Sequence, residues 1–376
     1  MLLLTACALP GFITGGVVLQ MRADFALGET ALGIAFSVYW GVAAVASAPA
    51  ARLAERIGPR AAMRLGGAIA GVTCAAIALL VDSATPLVAL LGVGGLSIAC
   101  ATPAVNTLIL RSIPEGRKAL AFGLAQSSLP GGLLLAGLGV PALSETLGWR
   151  VVFAAAALLA LVAAIGAPRG TAGHDAARAA AAAAEDPGLR PLGLMVTGVS
   201  LGTGAVGALN AFLVAAAPAA GVSGSVAALT LALGSALSIL TRIVAGLHAD
   251  RRPGAALATV AALMACGAAG FGLVSTQAPA PFLVGALLVL ALGWGWMGLF
   301  SFSVVNRYAK APERATGVMQ TGFFMGGVLG PVAFGVLVES GSFARAWLVA
   351  GAGALAAAIV VFAGRRLTAP ARVEAA

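Results

Sequence analysis

Arg242 lies in the stretch LTRIVAGLHADRRPG and is the one Asp, Glu, Lys, Arg or His that the sequence places more than a helical turn inside a long apolar run. A guanidinium keeps its charge and offers five N–H donors in a planar fork, which suits an oxyanion or a set of backbone carbonyls. Placing it in a membrane interior costs about 2.5–3.5 kcal/mol on insertion scales, so such a residue is seldom idle. Two readings stay open: Arg242 grips an anion, or it holds its own helix against a neighbour by binding carbonyls.

The side chains expected at comparable depth are uncharged. Gln126 and Gln320 stand 194 positions apart in related stretches, GLAQSSLPGG and GVMQTGFFMGG. Asn106, Asn210 and Tyr39 add hydrogen-bonding groups, and Trp294 and Trp296 add aromatic faces. Groups of this kind orient and stack on a small molecule without transforming it. No nucleophile–base pair, phosphate loop or metal-ligand spacing accompanies them, which argues against an enzyme, a metal centre and a cofactor. His174 reads as solvated, and Cys7, Cys74, Cys100 and Cys266 read as small packing residues within apolar runs. GWGWMG (293–298) has dinucleotide-loop spacing, but no strand precedes it, so helix packing is expected there.

The elements that carry these residues are membrane helices. With 60% hydrophobic and only 9% charged residues, the chain is far from the roughly 25% charge of a soluble domain. Apolar runs recur at about 2–20, 30–51, 61–81, 86–110, 119–143, 150–167, 191–217, 226–247, 255–274, 281–305, 315–338 and 344–363. They are continuous rather than alternating, so an all-α polytopic protein of twelve transmembrane helices is expected, not a barrel. Eighteen of the 22 Lys and Arg fall in alternate connections or the C-terminal tail. That bias predicts cytoplasmic termini in a cytoplasmic (inner) membrane, and it accounts for the net charge of +9 without nucleic acid.

The chain also uses one unit twice. Glu55-Arg56 recurs as Asp250-Arg251, and Arg150 as Arg345, 195 positions on. Two parallel-repeat six-helix bundles are expected, 1–167 and 191–376, joined by a polar cytoplasmic linker at 168–190. Small-residue pairs such as Gly11/Gly15, Gly67/Gly71, Gly198/Gly202 and Gly326/Gly330 should let helices approach closely.

The repeated charged connection resembles the signature loop of the major facilitator superfamily, G-x-L-a-D-r-x-G-r-k. It reads ARLAERIGPR (51–60) in the first copy, with Ala for Gly and Glu for Asp, and GLHADRRPG (246–254) in the second, with Pro where Gly is expected. The resemblance implies an alternating-access secondary transporter with a conformational latch built from Glu55, Arg56 and Arg111 and from Asp250, Arg251 and Arg307. Glu55 would meet the start of helix 11, and Asp250 the start of helix 5. Arg242, eight positions before Asp250, also resembles the anion-contacting helix-8 Arg of nitrate and monocarboxylate porters. Its counterpart in the first half is Ser47, so paired arginines are missing and a single anionic group is implied. The expected cargo is a small organic anion such as a monocarboxylate, carried by a monomer. The substrate site combines Arg242 with Gln126, Gln320, Asn106, Tyr39, Asn210, Trp294 and Trp296. The alternatives are an exporter of amphipathic drugs or other apolar compounds and a non-transporting receptor on the same fold. No acidic residue falls inside an apolar run, so a coupling proton has no evident carrier and the coupling ion stays open.

Overall fold

The computed structural model describes residues 1–112, 118–167, 189–251, 255–308 and 312–367. The chain is a bundle of helices in the expected order. α1 is bent by 63° between Leu2–Gly16 and Val18–Asp24. α2 (Glu29–Ile57), α3 (Pro59–Leu80) and α4 (Ala84–Ser112) follow. α5 is built from Lys118–Gln126 and Ser128–Gly139, then a wide π turn at Val140–Ser144 and a last turn at Glu145–Leu147. α6 is Trp149–Ile165.

The second set comprises α7 (Leu189–Ala216), α8 (Gly224–Arg251) and α9 (Ala256–Ser275). α10 joins Pro279–Leu288 to Met297–Arg307 through a π turn at Val289–Gly293. α11 (Pro312–Glu339) and α12 (Phe343–Leu367) complete it. Ten helices are individually long and apolar enough to cross a membrane, and bent α1 makes an eleventh; α6, at 17 residues, is shorter. The chain is a multi-pass membrane protein.

Local sequence sets the boundaries. Gly58 adopts φ +85°, a conformation costly for residues with a Cβ, and Pro59 then starts α3 at a position where a missing N–H costs nothing. Gly148 repeats the turn with φ +86° before α6. α2 and α8 run several residues past their apolar runs, carrying the signature-loop residues as their last turns.

The two halves of the chain meet closely at the end opposite the termini. A methyl group at Gly33 of α2 would sit 2.5 Å from the Pro331 carbonyl oxygen of α11, and one at Gly335 would sit 2.6 Å from that of Glu29. Gly137 of α5 packs in the same way against the backbone at Ala228 of α8. Side chains close this end further. Thr30 donates its N–H to Glu339 Oε1 at 2.9 Å and its hydroxyl to Oε2 at 2.6 Å. The Ser225 hydroxyl donates to Glu145 Oε1. These are one contact used twice: Glu145 and Glu339 end α5 and α11, while Ser225 and Thr30 begin α8 and α2.

The glycines of 293–298 are packing residues. A methyl group on Gly293 would fall 2.8 Å from the Gly267 Cα, and one on Gly295 would meet the Thr241 side chain at 2.5 Å. α9 and α8 therefore lie directly against the irregular part of α10. Cys7, Cys74 and Cys100 are buried, whereas Cys266 is exposed on the bundle surface.

Candidate functional site

A cavity with room for water-sized molecules over about 90 Å³ lies between the halves, lined from α1, α2, α4 and α5 on one side and α7, α10 and α11 on the other. A chain of rings crosses it. Phe12 meets Trp294 edge-on with centroids 6.1 Å apart, Phe12 meets Trp40 at 6.4 Å, and Trp40 meets Phe324 at 6.5 Å. Gly327 leaves the space that the Trp40 indole fills, since a methyl there would lie 3.0 Å from the ring. α1, α2, α10 and α11 are thus joined through one aromatic path.

The polar lining is uncharged. Thr203, Gly207 and Asn210 recur at i, i+4 and i+7 on α7, which puts them on one face. Thr203 Oγ1, Asn210 Oδ1 and Gln320 Oε1 are each buried without a hydrogen-bond partner. An unpartnered buried acceptor carries a desolvation cost of about 1–3 kcal/mol, which a donor from a bound molecule or a water would relieve. Gln126 also lines the cavity, at the break between the two main segments of α5.

Arg242 stands beside this cavity and not in its lining. It is 3% exposed and bonded to backbone on two other helices. Nη1 donates to the Gln126 carbonyl at 2.9 Å, and Nη2 donates to the Trp294 carbonyl at 2.8 Å. The guanidinium carbon lies 5.4 Å from the centre of the Trp294 ring, a cation–π distance. Nε is buried without a partner, next to a space of about 10 Å³, room for one water, between α5, α8 and α10.

Of the expected site residues, Gln126, Gln320, Asn210 and Trp294 line the cavity together. Tyr39 does not: its hydroxyl donates to the Cys7 carbonyl at 2.7 Å, and its ring packs on Gly11. Trp296 is fully buried against Phe300 and Phe323, with a methyl at Gly202 3.3 Å from its ring. Trp40, next to Tyr39, faces the cavity instead, and of the two tryptophans expected on α10 Trp294 alone is in the lining. Successive helical residues point roughly 100° apart, and hydropathy does not give that angle within an all-apolar run. Phe12, Phe324, Thr102 and Thr203 were not anticipated; the i, i+7 spacing of Thr203 and Asn210 was the available signal for one of them. The side chain of Asn106 lies outside the described residues, as do those of Glu55, Asp250, Arg251 and Arg111 in the expected latch. Arg56 and Arg307 are exposed at the ends of α2 and α10.

A sequence model of the Major Facilitator Superfamily matches residues 1–320, most of the chain. No curated protein matches it. The family match joins what the structure supplies, a membrane bundle that is helical throughout its described residues, with a cavity lined by helices from both halves of the chain. The chain belongs to the Major Facilitator Superfamily and is a secondary transporter of a solute.

Proposed function

We propose that the cargo is a compact amphipathic molecule with an aromatic or otherwise apolar body and an uncharged hydrogen-bonding group. It is carried by alternating access, with the termini in the cytoplasm. The observation that carries this reading is the lining itself: a four-ring aromatic path beside three unpartnered oxygens, with no charged side chain among the described lining residues. A carboxylate placed there would lose its hydration with no cation among the described lining residues to offset it, an unfavourable exchange. A donor such as an amide or hydroxyl would meet those acceptors while its body stacks on Trp40 and Trp294. This shifts weight from the small organic anion to the amphipathic cargo. The monocarboxylate reading retains one supporting observation, the free Nε of Arg242.

Matched ligands separate the two. Quenching of tryptophan fluorescence in purified protein should report tighter binding of benzamide than of benzoate. Asn210→Leu should weaken benzamide by up to about tenfold, the worth of a neutral hydrogen bond, while sparing toluene. Benzoate binding more tightly, with Asn210→Leu silent, would return the anion to first place. Counterflow of the ligand in proteoliposomes would set a carrier apart from a receptor.

A further inference from the structure

The geometry points to Arg242 as a positioning residue: a lock between the halves that fixes the backbone behind two cavity residues and must release when the termini end opens. The inference does not depend on the chemistry of the cargo.

It begins with two carbonyls that lack an ordinary donor. In an α-helix the carbonyl of residue i accepts from the N–H of residue i+4. Four residues after Gln126 stands Pro130, which has no N–H, and the N–H of Gly131 is taken by Ser127. The Gln126 carbonyl is therefore freed by sequence. Trp294 follows the π turn of α10, and the next helical segment closes its first turn between Phe300 N–H and Trp296. The Trp294 carbonyl is freed by that widened turn. Both face membrane interior, where an unpaired carbonyl is costly. One guanidinium answers both, and its planar fork reaches two acceptors on different helices as an ammonium does not.

The two bonds differ in what they join. Trp294 and Arg242 belong to the same half, so their bond travels with α8 and α10 as a unit. Gln126 belongs to the other half, so its bond crosses the interface. Arg242 lies nearer the termini end of α8, on the opposite side of the cavity from the Thr30–Glu339 and Ser225–Glu145 contacts. Separating α5 from α8 and α10 there breaks the Nη1 bond and leaves the Nη2 bond intact. The cavity faces of Gln126 and Trp294 are held by the same pair of bonds, so the lock and the shape of the site are one device.

Hydrogen exchange of the full chain in detergent, read by mass spectrometry, tests this without a known cargo. Arg242→Met should speed exchange about tenfold in peptides spanning 123–131 and 289–298, with little change in α3 or α12. Adding Pro130→Ala supplies the missing N–H to Gln126. The double variant should recover protection at 123–131 and not at 289–298. If Arg242→Met fails to fold, Arg242→Lys serves, because one ammonium keeps one carbonyl and only one of the two segments should loosen. Unchanged exchange in both segments, a uniform rise across the bundle, or no recovery with Pro130→Ala would each overturn the lock.

Discussion

The halves meet across two zones that follow opposite rules. Away from the termini the contact is symmetric: Glu145 with Ser225 repeats as Glu339 with Thr30, each a carboxylate at the end of one helix set on the start of another. Carboxylates suit helix N-termini because of the unpaired N–H groups and the dipole there. Nearer the termini, among the described residues, one side-chain hydrogen bond crosses between the halves. Arg242 binds Gln126, while its counterpart Ser47 turns its hydroxyl to Ala43 within its own helix at 2.6 Å. Proline explains the difference. Gln126 is followed at i+4 by Pro130, whereas Gln320 is followed by Phe324 and α11 runs unbroken through it. At the paired glutamines only the first half has a carbonyl left free by proline, and the cation stands opposite it in the second half. Symmetry has been kept where the contact lies at the surface and lost where it borders the site.

The strongest way to break this contrast is to impose symmetry. Ser47→Arg places a cation in α2 opposite a helix with no freed carbonyl at Gln320. It should cost about 2.5–3.5 kcal/mol, seen as poor membrane yield and a lower unfolding temperature in detergent. A well-expressed Ser47→Arg protein with wild-type thermal stability would show that α11 can satisfy a guanidinium after all, and the proline argument would fall. A smaller effect is expected from wedging the symmetric zone. Gly335→Leu forces a side chain where a methyl already lies 2.6 Å from the Glu29 carbonyl oxygen. Overpacking of this kind costs about 1–3 kcal/mol, enough to shift a two-state balance about five- to 150-fold. A cysteine at Phe36 should then label faster with an impermeant maleimide from the side away from the termini. Equal labelling rates would mean that this zone does not open in transport.

The same contrast shows what the sequence could reveal. Hydropathy located α1 to α12, because lipid demands long apolar segments with paired backbones. The repeat drew attention to Gln126 and Gln320, and both line the cavity. Rotation about each helix was not legible, so Tyr39 stood in for Trp40, and Trp296 was expected beside Trp294 although only Trp294 lines the cavity. Arg242 was recognisable as a residue with a task, but its partners were not, because carbonyls leave no letter in a sequence. Half of the answer was nevertheless written there: Pro130 announces the freed carbonyl of Gln126, whereas the π turn that frees Trp294 has no residue signature of its own.

The least effect should come from the symmetric carboxylates, and it tests whether the two copies act as one gate. Both acids are exposed, so water and salt compete for them and each alone contributes little. Glu339→Ala and Glu145→Ala should each raise labelling of the Phe36→Cys reporter about two- to fivefold at low salt. Half-molar salt should erase most of that difference, since screening weakens the native contacts to the level of the variants. The double variant decides the coupling. If both contacts must open together, either loss destabilises the same closed state and the two effects multiply. If the copies open independently, the reporter on α2 should respond to Glu339, which caps that helix, and ignore Glu145 on the α5–α8 side. A silent Glu145→Ala beside an active Glu339→Ala would leave the repeat a feature of sequence and fold with no shared movement.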